Sequence, residues 1–171
     1  MPNADLLGFR PLTEADLPLL RHWLAEPHVR RWWGEPEAEA AEIRGHFDDP
    51  LVKPYLVLLD DEPIGYMQSY VVDGPGHPYG DQPAGTVGID QFIGVPTLIG
   101  QGIGPRMIEA FIAGLFKQGV QRVIIDPHPD NRPAIRAYEK AGFRVFDQRQ
   151  TEDGPALMMA RDRAQERERD E

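Results

Sequence analysis

The sequence predicts a single α/β (or α+β) domain, with a mixed central β-sheet of about seven strands and helices on both faces. Short runs of β-branched and aromatic residues alternate with amphipathic helical segments along the whole chain. No repeat or linker divides the chain, and 171 residues suffice to bury one core. We expect the domain over residues 1–160 and a charged tail over residues 161–171.

In the first half of the chain, the residue pattern predicts two helices and three strands. Thr13, with Asp16 three residues later, has the pattern of a helix N-cap, and leucines follow it at helical spacing. The segment His28-Val-Arg-Arg-Trp-Trp-Gly34 breaks this pattern and places two tryptophans beside a glycine. The predicted elements are a strand at 7–12, a helix after Thr13, a helix at 35–47, a hairpin of strands at 55–59 and 64–72, and a Gly- and Pro-rich loop at 73–85.

The second half predicts four further strands and two helices. Pro105 is expected at the first position of an amphipathic helix, where proline is tolerated. Gly142 is expected to close the other helix. The predicted elements are strands at 86–93, 123–125, 143–149 and 156–160, a helix from Pro105, and a helix at 132–141.

Composition restricts the classes of partner. The chain has 28 acidic and 18 basic residues, for a formal charge of −10, which argues against nucleic-acid binding and suits a small cationic amine. Such a charge is equally consistent with solubility alone. No apolar run reaches the length of a membrane span, and the N-terminus lacks a signal-peptide pattern, so we expect a cytoplasmic monomer or homodimer without membrane contact. The absence of cysteine excludes disulfides, thiol catalysis and cysteine-bound metal, and we expect no metal.

The first chemical motif is Gly100-Gln-Gly-Ile-Gly104, which opens an amphipathic helix after a strand. Glycines let the backbone approach a phosphate group closely, and the first N–H groups of a helix favour an anion. The motif lacks the Gly-Lys-Ser/Thr ending of a P-loop and the third glycine of a dinucleotide fingerprint. Taken alone, it is also typical of a tight turn.

A second motif follows about thirty residues later: Asn131-Arg-Pro-Ala-Ile-Arg-Ala-Tyr-Glu-Lys-Ala-Gly-Phe143. In order and spacing, the two motifs resemble the GNAT superfamily of N-acetyltransferases. The resemblance implies a GNAT-type fold and acetyl-CoA as co-substrate. The residues that it assigns to acetyl-CoA are Gln101, Gly102, Ile103 and Gly104 for the pyrophosphate, Asn131 for the pantetheine, and Tyr138 for the sulfur.

Tyr138 would also be catalytic, because the resemblance implies that its hydroxyl protonates the departing thiolate. The alternative is a core aromatic residue paired with Ile135. Two residues depart from the family pattern. Ile99 stands where Arg or Gln is usual, and Pro105 lacks an N–H where many relatives have Ser or Thr. Both departures should weaken the binding of acetyl-CoA without abolishing it.

Further segments resemble the aminoglycoside 6'-N-acetyltransferases, and they occur in the same order: Arg31-Trp-Trp-Gly34, Glu62-Pro-Ile-Gly-Tyr-Met-Gln-Ser-Tyr70, Gly88-Ile-Asp-Gln91, Asp126-Pro-His-Pro-Asp-Asn131 and Asp153-Gly-Pro155. The resemblance implies that Asp90 binds the acceptor amine and serves as its base, and that Trp33, Asp126 and Asp153 line the acceptor pocket.

The chemistry of the acceptor agrees with these residue types. An aminosugar with several ammonium groups needs carboxylates and flat rings around it. Each residue also has a structural alternative, because Asp126 and Asp153 precede turn-forming residues and Trp33 could belong to the core. In addition, His77 stands where these enzymes carry a further substrate-binding Asp.

The sequence therefore predicts direct transfer of an acetyl group from acetyl-CoA to a primary amine, the 6'-amine of an aminoglycoside-like aminosugar. Backbone N–H groups of a β-strand would polarise the thioester carbonyl. One alternative is an acetyltransferase for an N-hydroxylysine-type siderophore precursor, which would favour a basic residue facing the acceptor's carboxylate. The other is a CoA-binding module without catalysis, which would be expected to lose Tyr138 or Asp90.

Overall fold

The protein has a seven-stranded mixed sheet with the strand order β1-β2-β3-β4-β5-β7-β6 in a computed structural model that describes residues 6–72 and 78–163. Strands β4 and β5 pair in parallel, whereas β1 with β2, β5 with β7, and β6 with β7 pair antiparallel. The predicted fold class is confirmed. The strands are β1 (Leu7–Pro11), β2 (Val52–Leu59), β3 (Glu62–Val71), β4 (Val87–Ile93), β5 (Arg122–Ile125), β6 (Arg144–Thr151) and β7 (Gly154–Asp162).

Five α-helices accompany these strands in the described part of the chain: α1 (Leu17–Leu24), α2 (Pro27–Trp33), α3 (Pro36–Gly45), α4 (Ile103–Lys117) and α5 (Arg132–Lys140). The predicted N-cap at Thr13 is present, since its N–H donates to Asp16 Oδ2 at 2.8 Å, and a 3₁₀ turn at Glu14–Asp16 leads into α1.

The segment at 28–34 breaks the helical pattern in the sequence, yet residues 28–33 belong to helix α2. Pro27 begins the helix and Gly34, with a φ of 98°, ends it. Pro105 also differs from its predicted place. Helix α4 begins at Ile103, so Pro105 is its third residue, where the N–H that proline lacks would still have had no partner within the helix.

The chain forms two compact units, of which the first contains residues 1–69 and 91–107. Its core joins α1, α2 and α3 to β2 and β3 through buried side chains such as Leu20, Ile43 and Leu56. The end of β4 is fixed from within this unit. A Cβ on Gly94 would lie 2.2 Å from the ring of Trp23, so only glycine fits there. The Gly94 N–H donates to Ile64 O at 2.8 Å.

The second unit contains residues 70–90 and 108–171, and its antiparallel strands β5, β6 and β7 follow the predicted order. The charged tail was expected from Arg161, but β7 continues to Asp162. The Arg161 side chain is buried, since Nη1 donates to Glu109 Oε2 and to Ala141 O, each at 2.7 Å. Residues 164–171 lie outside the described part of the chain.

Candidate active site

Four side chains of the second unit form one hydrogen-bonded group, which we call the Tyr–Asp cluster: Tyr70, Tyr79, Asp90 and Asp126. The two phenolic oxygens lie 2.7 Å apart. Tyr79 Oη donates to Asp126 Oδ2 at 3.0 Å, and Tyr70 Oη makes a longer contact of 3.4 Å with Asp90 Oδ1. The two carboxyl groups also interact with each other, since the Asp90 charge raises the pKa of Asp126. The cluster is therefore a closed group of two phenols and two carboxyls.

The strands of the sheet bring these residues together. Tyr70 lies near the end of β3, Asp90 lies on β4, and Asp126 directly follows β5. Gly88 makes room for the tyrosine, because a Cβ at this position would lie 2.3 Å from the Tyr70 ring. Gly88 and Asp90 are two residues apart on β4 and so face the same side of the strand. The glycine therefore lets the Tyr70 ring lie across β4 with its hydroxyl directed to Asp90.

Electrostatics within the cluster favour the protonated forms. Loss of water around Asp126 raises its pKa to about 8, and the nearby Asp90 charge contributes in the same direction. Burial also raises the pKa of Tyr70 and of Tyr79 well above the usual range, so both phenols remain neutral hydrogen-bond donors. A cation bound at the two carboxyls would relieve this repulsion. The arrangement is thus suited to an ammonium group.

The sequence analysis did not assign a role to either tyrosine. Tyr70 was quoted only as part of a family-like segment, and the pairing of its strand with the one that carries Gly88 and Asp90 could have indicated its place. Tyr79 follows residues 73–77, which lie outside the described part of the chain and include His77. Its buried ring packs with Ala156 and Met158, and nothing in the loop sequence predicted this.

The predicted pyrophosphate loop lies in the first unit. Gly100 and Gly102 both have a φ of 77°, a conformation that favours glycine, and Gln101 and Gly102 are exposed. Helix α4 begins directly afterwards at Ile103, so the first N–H groups of a 15-residue helix follow the turn. A Cβ at Gly102 would point into open space. A Cβ at Gly104 would lie 3.9 Å from Ile93 Cδ1, which is an ordinary van der Waals contact. This open main-chain turn fits a pyrophosphate group.

Asn131 and Tyr138 lie at opposite ends of α5 in the second unit. Asn131 caps the helix, since its Oδ1 accepts from the Ala134 N–H at 3.4 Å. Tyr138 is 7% exposed, and its ring meets Phe143 edge-on with 6.2 Å between centroids. Asn131 and Tyr138 thus both contribute to the local structure around α5.

The remaining predicted pocket residues are Trp33 and Asp153. Trp33 is half-buried in the first unit, with its ring 5.1 Å from Phe92 and 6.0 Å from Tyr66 between centroids, so it contributes to an aromatic core. Asp153 is exposed in the turn between β6 and β7, in the second unit. Of the four predicted acceptor residues, the structure brings Asp90 and Asp126 together.

Within residues 6–72 and 78–163, no helix is long and apolar enough to cross a membrane. The same residues contain no group of three or more His, Asp or Glu side chains placed to hold a metal ion.

Residues 13–151 match the family described as the acetyltransferase (GNAT) domain. The match spans most of the protein, so the chain belongs to the GNAT family and is an acetyltransferase. The family resemblance seen in the glycine turn and in the motif from Asn131 to Phe143 is thereby confirmed.

Comparisons with individual proteins give more specific similarities than the family match. Aminoglycoside N(6')-acetyltransferase type 1 of Klebsiella pneumoniae is 38% identical over 169 residues, covering 93% of this chain and 84% of that protein. The crystal structure of aminoglycoside acetyltransferase AAC(6')-Ib in complex with coenzyme A and kanamycin has a TM-score of 0.84 at 37% identity, covering 96% of this chain and 99% of that one. N(6)-hydroxylysine O-acetyltransferase of Escherichia coli is 26% identical over 157 residues, covering 82% of this chain and 47% of that protein.

The raised pKa of Asp126 predicts how the stability of the protein changes with pH. The folded state prefers the protonated carboxyl, so ionisation destabilises the fold progressively as pH rises from about 4 to about 8. Asp126→Asn removes this cost. We expect the melting temperature of the variant, relative to wild type, to increase between pH 5 and pH 9, measured by circular dichroism.

Asp16→Asn, in the first unit, is the control of opposite sign. Arg10 donates to Asp16 and lowers its pKa to about 2, so this carboxylate stabilises the fold above its unfolded pKa and loses that effect as pH falls. The control should therefore show a loss of melting temperature at neutral pH that becomes smaller in acid. A constant difference between Asp126→Asn and wild type across the pH range would contradict the assignment of Asp126.

Proposed function

We propose that the protein transfers the acetyl group of acetyl-CoA to a primary amine of an aminoglycoside-like aminosugar, at its 6' position. The observation that carries this proposal is the pairing of Asp90 with Asp126 in the Tyr–Asp cluster. Two adjacent carboxyls favour a cationic ligand, because a bound cation reduces their mutual repulsion. The 38% identity to an aminoglycoside N(6')-acetyltransferase supports the same acceptor class. The acidic net charge of −10 would favour the approach of a polycation.

Acetyl-CoA supplies the acetyl group as an activated thioester. The residues suited to holding its pyrophosphate are Gln101, Gly102, Ile103 and Gly104, because the turn is open and leads into the positive end of α4. Asn131 is assigned to the pantetheine. Since Ile99 and Pro105 offer no polar side chain, and Pro105 no N–H, binding rests on the main chain of this turn.

The reaction needs one proton acceptor and one proton donor. A bond forms between the amine nitrogen and the acetyl carbon while the bond from that carbon to sulfur breaks. The bound ammonium group first loses one proton to water, which frees the nitrogen lone pair. Asp90 is proposed to take the second proton, which leaves the nitrogen as it attacks, and Tyr138 to give its hydroxyl proton to the departing thiolate. Asp126, Asp153 and Trp33 are proposed to hold the other ammonium groups and a sugar face. We place this activity in the cytoplasm, in a monomer or homodimer.

The N-hydroxylysine-type acceptor is less well matched to the cluster. Such an acceptor carries its own carboxylate, which the paired Asp90 and Asp126 would repel at neutral pH and above. The 26% identity to an N(6)-hydroxylysine O-acetyltransferase keeps this acceptor among the compounds to be assayed.

The first prediction concerns acetyl-CoA. Gly104→Asp places a carboxylate in the proposed pyrophosphate site, where a Cβ makes only an ordinary contact. An acidic residue in the first turn of α4 also favours the helix, so the fold should be retained. We expect wild type to bind acetyl-CoA with micromolar affinity, and the variant to bind at least about tenfold more weakly by calorimetry, a loss of ~1.4 kcal/mol.

Gly114→Asp makes the same change further along α4 and is the matched control. A Cβ at Gly114 would also meet open space, so the substitution itself causes no clash. Equal affinities for Gly104→Asp and Gly114→Asp would show that the pyrophosphate lies elsewhere.

The second prediction concerns the leaving group. Tyr138→Phe keeps the ring that packs on Phe143 and removes only the hydroxyl. We expect turnover to fall by roughly ten- to a thousandfold with little change in melting temperature, because a general acid is lost. Tyr55→Phe, on β2 in the first unit, should retain turnover. Unchanged turnover in Tyr138→Phe, with the chemical step shown to be rate-limiting, would leave Tyr138 with its core role alone.

The third prediction concerns the acceptor. Release of the CoA thiol should be fastest with kanamycin-like aminoglycosides in a panel that also contains linear polyamines and N-hydroxylysine. Asp90→Asn keeps the size of the side chain but removes its charge and basicity, so kcat/KM should fall more than about tenfold, or ~1.4 kcal/mol. Added salt should raise KM for the aminoglycoside. Turnover of N-hydroxylysine without turnover of any aminoglycoside would replace the proposed acceptor.

A further inference from the structure

The Tyr–Asp cluster contains more hydrogen-bonding contacts than protons to fill them. The hydroxyls make three contacts within the cluster, but each tyrosine supplies only one proton. With two protons for three contacts, Tyr79 donates to Asp126 at 3.0 Å and Tyr70 donates to Tyr79 at 2.7 Å while the carboxyl pair retains a proton of its own. The 3.4 Å contact from Tyr70 to Asp90 is then the weak one.

When both carboxyls are ionised, the same two hydroxyls form a different set of hydrogen bonds. Tyr79 still donates to Asp126, and the Tyr70 O–H can turn from Tyr79 to Asp90 without movement of either ring. A hydroxyl that donates to a carboxylate stabilises its charged form. The bond from Tyr79 strengthens when Asp126 ionises, because a carboxylate accepts more strongly than a neutral carboxyl. Tyr79 therefore favours the doubly ionised pair, which is the form with the greatest affinity for an ammonium group.

The segment that carries Tyr79 is held in place by Arg149 of β6. Its Nη1 donates to Pro78 O at 3.0 Å, and its Nε donates to Asp147 at 2.6 Å, which orients the guanidinium. Gly80, with a φ of 79°, lies directly against this group, because a Cβ there would be 2.5 Å from Arg149 Nη2. The residues on both sides of Tyr79 thus contact one arginine.

A second anchor holds the carbonyl of Tyr79 itself. Gln82 Nε2 donates to Tyr79 O at 3.0 Å, and Arg122 Nε donates to Gln82 Oε1 at 3.1 Å. Arg122 is in turn paired with Asp162 at 3.0 Å. Polar side chains of β5, β6 and β7 therefore fix a short loop segment whose inward-facing side chain is a tyrosine.

We propose that Tyr79 is a positioning residue of the acceptor site: its hydroxyl, placed by the contacts of Arg149 with the neighbouring Pro78 and Gly80, stabilises the doubly ionised Asp90–Asp126 pair that binds the acceptor's ammonium group. The catalytic part of this inference rests on the proposed acetylation of an aminosugar, while the effect on the carboxyl pair does not. The groups that face Asp126 in this cluster are Tyr79 and Asp90, and Tyr70 faces both of them.

The direct test is a carbon-13 NMR titration of the aspartate carboxyls in the substrate-free protein. Tyr79→Phe retains the ring that stacks on Tyr70 and removes the donor to Asp126. We expect the pKa of Asp126 to rise by roughly half to one unit in this variant. Arg149→Met, which removes both anchoring hydrogen bonds and keeps the aliphatic length, should produce a smaller rise in the same direction.

Two controls separate positioning from general effects. Arg144→Met removes a positive charge from the exposed start of β6, and Tyr55→Phe removes a phenol from β2; both should titrate like wild type. Wild-type titration of Asp126 in Tyr79→Phe would overturn the proposal. So would an equal shift in Arg149→Met and Arg144→Met, which would indicate charge alone.

The kinetic test uses the pH profile of kcat/KM with an aminoglycoside. In Tyr79→Phe the acid limb should move to higher pH by roughly half to one unit, so that the loss at pH 6.5 exceeds the loss at pH 9. A loss that is uniform across pH would count against the proposal. If wild type acetylates no aminosugar, the proposed function fails, and the titration alone decides the role of Tyr79.

Discussion

The second unit is organised around two carboxyl groups that lie next to each other and partly out of water. Desolvation and mutual repulsion make the ionised pair of Asp90 and Asp126 unfavourable in the free protein. The surrounding structure offsets part of this cost with neutral donors, since Tyr79 and Tyr70 direct their hydroxyls at the pair. Gly88 is needed for the same reason, because any side chain there would displace the Tyr70 ring.

The paired carboxyls destabilise the free fold wherever both are ionised. Removing one carboxyl should stabilise the free fold at high pH, so packing alone does not account for the arrangement. A bound ammonium group would offset the repulsion and donate hydrogen bonds to both carboxylates. A neutral acceptor would not offset the repulsion between the two carboxylates. The pair would therefore select cationic over neutral acceptors.

The sequence predicted the elements whose patterns extend over several residues. The hairpin around Asp60 and Asp61 has positive φ angles of 49° and 67° at these residues, as a two-residue hairpin turn requires. Helix α2 was missed because its seven residues make fewer than two turns, too few for a periodic pattern. Asp90 and Asp126 were found through family motifs, whereas the role of Tyr79 depends on long-range contacts with Arg149 and Asp126 that no local pattern encodes.

The two proposed binding sites differ in what the sequence must specify. A pyrophosphate site made of main-chain N–H groups requires only an open turn and a helix start, so it does not depend on the side chains of Ile99 and Pro105. A cation site made of carboxylates depends on side-chain identity and on the groups that set their ionisation. Variation in acceptor preference among related chains is therefore expected at Tyr79 and its anchors, on residues that need not touch the acceptor, while the glycine turn can remain the same.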